Sequence, residues 1–162
     1  MKNMTSNLNI TDFIKRLKEN TKSGNPKIKG TPFAIFTIFG KTRMKFYGEY
    51  TDSDFRLTKN AILFQIPYIF EGRIKYKDKT STELSLIIKP IWFGYLWIRI
   101  LPVLALFLFN LLLITKGKNI ESEIYVIANA FFVFMFTPIF LTIRQKNKLL
   151  KDFKEIFEIS DS

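Results

Sequence analysis

Two long apolar runs towards the C-terminal end constrain this chain more than any other feature. Residues 91–114 are 24 positions with one charge, Arg99, and residues 124–143 are 20 positions with none. A helix rises about 1.5 Å per residue, so about 20 residues cross a hydrocarbon layer of about 30 Å. The runs are apolar all round, and burying such a pair would take a larger soluble core than 162 residues can build. Two transmembrane helices, 91–114 and 124–143, are therefore expected. Trp92, Phe93, Tyr95 and Trp97 cluster at the start of the first, where an aromatic belt meets the headgroups. Arg99 lies within a turn of that belt and is expected to snorkel to the same level, so Trp92, Tyr95, Trp97 and Arg99 are read as interface residues. Asn110 and Asn129 are the other strongly polar groups inside the runs and are expected to pair the two helices by hydrogen bonding. Pro102 and Pro138 are expected to kink them.

Charge on the flanks orients the hairpin. Lys75, Lys77, Lys79 and Lys89 precede it, and Arg144, Lys146, Lys148 and Lys151 follow it. The short link between the helices mixes Lys116 and Lys118 with Glu121 and Glu123. The positive-inside rule then places both termini in the cytoplasm and the link outside. No apolar run falls within the first 30 positions, so no cleavable signal peptide is expected.

Ahead of the hairpin the pattern changes twice. Ile10, Phe13, Ile14 and Leu17 have helical spacing with charged residues between them, which predicts a short amphipathic helix over 11–20, capped by Asn9 or Thr11 and closed by the turn-forming run 21–26. Beyond Gly30 the period becomes two. Met44, Phe46 and Tyr50, then Tyr68, Phe70, Ile74 and Tyr76, then Thr82, Leu84, Leu86 and Ile88 alternate with polar residues as half-buried strands do. Residues 32–39 and 61–66 are more evenly apolar and read as central strands. Turn chemistry falls at 40–42, 51–54 and 77–79. Nothing between the strands is long enough for a crossover helix, so an antiparallel sheet or small barrel is expected rather than a parallel sheet. After the hairpin, Leu149, Leu150, Phe153, Ile156 and Phe157 form a helical stripe, expected to fold back over the open face of the sheet. The reading is a membrane α+β protein with four parts. These are a helix and linker at 1–30, a basic antiparallel β module at 31–90, the hairpin at 91–143 and a cytoplasmic amphipathic helix at 144–162.

The chain lacks histidine and cysteine altogether. That removes the commonest general base, the commonest metal ligand and every thiolate site. No glycine-rich phosphate loop occurs. Asp52 and Asp54 are too few for a calcium loop and read as a solvated turn. Glu71 and Glu83 read as surface partners of Arg73 and Lys75 rather than as a catalytic pair. No enzyme, cofactor or metal is expected. Positive charge is the one chemical signal, with 17 basic against 8 acidic residues over 1–90. Arg43, Lys45, Arg56, Arg73, Lys75 and Lys77 are the expected ligand-binding residues, for anionic headgroups, a small anionic ligand or a protein partner. Duplex nucleic acid is an awkward partner for a module tethered so close to a membrane.

Phe46-Tyr47-Gly48, Asp54-Phe55-Arg56-Leu57, Asn60, Pro67, Gly72-Arg73-Ile74 and the run from Thr80 to Leu84 together resemble a family of small, uncharacterised bacterial membrane proteins. In that family a short helix precedes β strands, and two membrane helices and a tail follow. The spacing from the Asn to the Pro-x-x-x-x-Gly segment is longer here. In layout alone the chain is also similar to anti-phage effectors that join a β-barrel sensor to membrane helices. The resemblance implies architecture and no activity. The expectation is a non-enzymatic bacterial inner-membrane protein carrying a basic cytoplasmic β module, with self-association through the hairpin. A ligand-gated membrane-perturbing effector and a membrane-anchored immunity or scaffold protein are the alternatives.

Overall fold

The computed structural model describes residues 2–31, 44–61, 66–116 and 122–160. The expected strand at 32–39, the turn at 40–42, most of the strand at 61–66 and Arg43 lie outside the described residues.

The first helix, α1 (Ile10–Asn20), forms where the apolar spacing puts it. Asn9 caps it by accepting from the Asp12 amide at 2.8 Å, so an otherwise orphaned donor is satisfied. Phe13 and Leu17 are fully buried. Among the described residues seven strands make one sheet: β1 (Lys2–Ser6), β2 (Thr21–Ser23), β3 (Phe46–Tyr50), β4 (Asp54–Lys59), β5 (Tyr68–Tyr76), β6 (Thr82–Pro90) and β7 (Ile159–Ser160). Their order is β2-β3-β4-β5-β6-β1-β7. β3 to β6 form an antiparallel meander, with Gly48 opposite Leu57, Phe55 opposite Gly72 and Gly72 opposite Leu86.

Three expectations need correction. The sheet is mixed, because β2 runs parallel to β3. That connection spans 24–45, long enough for a crossover, and includes a 3-10 turn over Pro26–Gly30. Residues 1–30 are not only helix and linker, since β1 pairs with β6 and β2 extends the far side of the sheet. The turn at 51–54 is shorter than expected, since Asp54 already pairs with Arg73 as the first residue of β4. Among the described residues β2 and β7 end the sheet without meeting, so these strands form an open sheet.

One face of the sheet carries the core. Met4, Phe46, Phe55, Leu57, Phe70, Ile74, Leu84 and Leu86 point into it, and α1 and the end of the last helix cover it. That helix, α5 (Thr137–Ile156), supplies Leu149 and Phe153, and Phe157 follows it. The Phe153 ring lies 5.5 Å from Phe55, 5.9 Å from Phe46 and 4.7 Å from Phe157, centroid to centroid, and Phe157 meets Phe13 at 4.5 Å. Phe157 caps α5, Glu158 turns the chain in the left-handed region at φ 49°, and β7 pairs with β1. Arg16 fastens this end through the Ile156 carbonyl at 2.9 Å and the Glu158 carboxylate at 2.7 Å. The amphipathic stripe beyond 143 therefore covers the sheet, as its sequence pattern suggests, and the folded unit is built from chain on both sides of the hairpin.

The hairpin has two apolar helices, Trp92–Thr115 and Glu123–Ile156, each long and apolar enough to cross a membrane. The first begins as α2 (Trp92–Tyr95), widens to a π turn over Leu96–Ile100 and continues as α3 (Leu101–Lys116). Pro102 explains the widening. It lacks the amide that would bond to Ile98 and its ring crowds that carbonyl, so the Leu101 amide reaches back to Leu96 instead. The second consists of α4 (Ser122–Met135) and α5, interrupted at Phe136 just ahead of Pro138.

Candidate functional site

Strand alternation sends the polar residues of the meander to the face away from the core, where they line an open groove of about 650 Å³. The expected ligand-binding cations do not gather there as one patch. Arg56 and Arg73 line it, but each faces an acid across the strands: Arg56 is 3.7 Å from Glu71 and Arg73 is 3.5 Å from Asp54. Lys89 pairs with Glu71 as well, and Glu49 stands opposite Arg56. Lys75 is opposite Glu83 in register. Lys77 reaches the Thr5 hydroxyl at 3.3 Å near the hairpin between β5 and β6, and Lys45 is exposed ahead of β3, beyond the groove. The groove thus sums to near neutrality, a checkerboard rather than a positive field.

A second cluster lies where the sheet meets the apolar helices. Tyr68 opens β5 opposite Pro90, the last residue of β6 before the first long helix. The Tyr95 ring meets the Tyr68 ring edge-on at 6.1 Å. The Arg99 guanidinium stands 5.9 Å from the Tyr68 centroid and 5.6 Å from that of Tyr95, and the Lys146 ammonium stands 5.2 Å from Tyr68. Each distance is within the range at which a ring face attracts a cation. The Tyr68 phenol is held above its ordinary pKa by burial, with Arg99 acting the other way. Nearby, Lys59 donates to the Gln145 amide oxygen at 2.8 Å, and burial with the neighbouring Lys148 lowers its pKa. Among the described residues no carboxylate pairs with Arg99 or Lys146, and the buried Arg99 Nε has no hydrogen-bond partner. Of these residues the sequence marks only Tyr95 and Arg99. Tyr68 and Lys146 read there as a strand residue and a flanking charge, because their meeting depends on α5 returning to the sheet.

Between the helices, Asn110 donates to the Asn129 side-chain oxygen at 3.0 Å and accepts from the Tyr125 hydroxyl at 2.7 Å. The second Asn110 amide proton goes to the Leu106 carbonyl and one from Asn129 to the Tyr125 carbonyl, each one turn back. Trp92 and Trp97 are exposed on the first helix, and Phe93 stacks on Trp97.

Another buried cation, Lys29, lies on the 3-10 turn that packs against α2 and β5. Lys29 donates to the Ala61 carbonyl at 3.3 Å and covers the Tyr47 ring, and burial followed by the nearby Lys22 lowers its pKa. Among the described residues no group of three or more acidic side chains could hold a metal ion. Compared with family models, curated proteins and solved structures, the chain finds no match.

Proposed function

We propose that the chain is a non-enzymatic, two-span protein of a bacterial inner membrane, in the manner of the small membrane proteins it resembles. Its β module is held in the cytoplasm against the leaflet and binds anionic groups there. The observation that carries this reading is the join. β6 runs into the first apolar helix after a single residue, and α5 passes without a break from the second apolar run into the core of the sheet. A module clamped on two sides cannot swing away on a linker, so its work is done at the membrane surface. The excess of positive charge supports an anionic partner there.

The absence of cysteine makes the topology directly testable. Single-cysteine variants at Lys77 and at Lys118, in intact cells, should react oppositely with a membrane-impermeant maleimide: Lys118→Cys labelled, Lys77→Cys protected. Labelling at both or the reverse pattern would overturn the topology. Binding is tested on the detergent-solubilised protein, whose melting temperature should rise saturably with phosphatidylglycerol and not with phosphatidylcholine, since only ligands that favour the folded state stabilise it.

A scaffold or immunity role is the second reading, favoured by the near-neutral groove, whose alternating charges suit a polypeptide better than a phosphate. It predicts stable one-to-one co-purification with a protein and an unchanged membrane potential on expression. The membrane-perturbing alternative predicts depolarisation, and the hydrogen bond between Asn110 and Asn129 turns these two strongly polar side chains of the helices towards each other.

A further inference from the structure

We propose that Tyr68, Tyr95, Arg99 and Lys146 form a specific site for the phosphodiester of an anionic lipid headgroup. The inference rests on the membrane reading above and assigns its anion to one place. Three observations converge on it. The first is an excess of cations. Arg99 and Lys146 both stand over the Tyr68 ring, and among the described residues neither has an acidic partner. Like charges gathered about one ring repel each other, and an anion beside both offsets that repulsion. The second is an excess of donors. The Arg99 Nε is buried without an acceptor. No described residue hydrogen-bonds to either tyrosine hydroxyl, and the lysine has only protons to offer. Guanidinium, ammonium and phenol together present a donor set that matches the oxygens of a phosphate.

The third is position. The π turn sits at Arg99 and α5 packs against that turn, so the widened helix aims the guanidinium at the sheet rather than along the apolar surface. The exposed Trp92 and Trp97 lie within two turns, at the level where indole rings sit among headgroups. A lipid satisfies both features, phosphate to the cations and acyl chains along the apolar helices. A soluble phosphate satisfies only the first. The outer groove competes poorly for the same ligand, because Arg56 and Arg73 already face Glu71 and Asp54.

The test uses the full chain in neutral detergent and compares melting temperatures with phosphatidylglycerol, phosphatidylcholine and glycerol phosphate. Phosphatidylglycerol should give a saturable rise and the other two should not. The half-saturating concentration should increase at least about tenfold, equivalent to about 1.4 kcal/mol, in Arg99→Gln and in Lys146→Gln, and stay unchanged in Arg56→Gln/Arg73→Gln. Tyr68→Phe, which keeps the ring, should weaken binding by less than either charge deletion and carries the test if Arg99→Gln does not fold. A response kept by the Arg99 and Lys146 variants but lost with Arg56 and Arg73 would overturn this site while leaving the wider reading intact. An equal response to glycerol phosphate would overturn the lipid as its ligand. No response to any of the three in the wild-type protein would overturn both the site and the proposed binding function.

Discussion

At the residue scale, the sharpest local chemistry is in the β5–β6 hairpin. The Asp78 carboxylate accepts from the Thr80 and Ser81 amides at 2.8 and 2.7 Å and from both hydroxyls at 3.0 and 2.6 Å. These bonds favour the charged form, and the Ser81 hydroxyl leads in lowering the pKa to about 2. The sign follows from linkage. The folded pKa lies below the unfolded value near 3.8, so the unfolded chain binds more protons between the two. The stabilisation is complete above about pH 4 and is lost as pH falls towards 2. Asp78→Asn should flatten that part of the stability curve, measured by denaturant melts between pH 2 and 6, with little change in its shape above pH 5. Gly72 makes a second residue-scale prediction. A β-carbon there would collide with the Phe55 ring, which lies across the glycine from the neighbouring strand. Gly72→Ala should cost about 1–3 kcal/mol, the usual range for overpacking, measured by chemical denaturation.

Legibility from the sequence divides at the scale of elements. The helix α1, the strands β3, β5 and β6 and the amphipathic end of α5 announce themselves by period, because each buries a regular face, and the two long helices by unbroken apolar length. β4 is not among the expected strands, although Phe55 and Leu57 alternate with Arg56 there. β1 and β2 do not announce themselves. Lys2-Asn3-Met4-Thr5-Ser6 buries Met4 as its one apolar side chain, and Thr21-Lys22-Ser23 has none. They are strands because β6 and β3 offer them backbone partners, β1's lying some 80 residues along the chain. The cluster around Tyr68 is illegible for the same reason, since it joins β5, the first long helix and α5. The lone charge in the first apolar run was the available signal, as an ionisable group at such a place is a functional candidate by default. Two predictions belong here. Phe153→Ala removes the ring on which Phe46, Phe55 and Phe157 converge and should cost about 3–5 kcal/mol, a large part of the stability of a domain of this size. Pro102→Ala should restore regular bonding in the π turn and rotate Arg99 by about 100° about the helix axis. Its phosphatidylglycerol response should then weaken as in Arg99→Gln, although no cation has been removed.

For the whole molecule, the order of the chain couples the sheet to the hairpin. The strands before residue 91 present a core face that stays open until α1, Leu149, Phe153 and Phe157 cover it, and the last three arrive only after both apolar helices have been made. The module is therefore completed after the hairpin, and α5 is common to both. On α5, Lys146 stands at the proposed headgroup site and Phe153 in the core, seven residues and about 10 Å apart along one continuous helix. An anion that holds Lys146 in place also restrains the helix whose far end closes the core, so binding and opening of the sheet are linked. Amide exchange should report this. Adding phosphatidylglycerol to the solubilised protein should slow exchange in the last two turns of α5 and in β1, which β7 pairs with beyond the helix, more than in β3 or β4. Lys146→Gln should abolish that difference without altering exchange in the lipid-free protein. Uniform slowing across the sheet would mean that lipid acts on global stability alone, and slowing confined to 92–100 would mean that α5 transmits nothing.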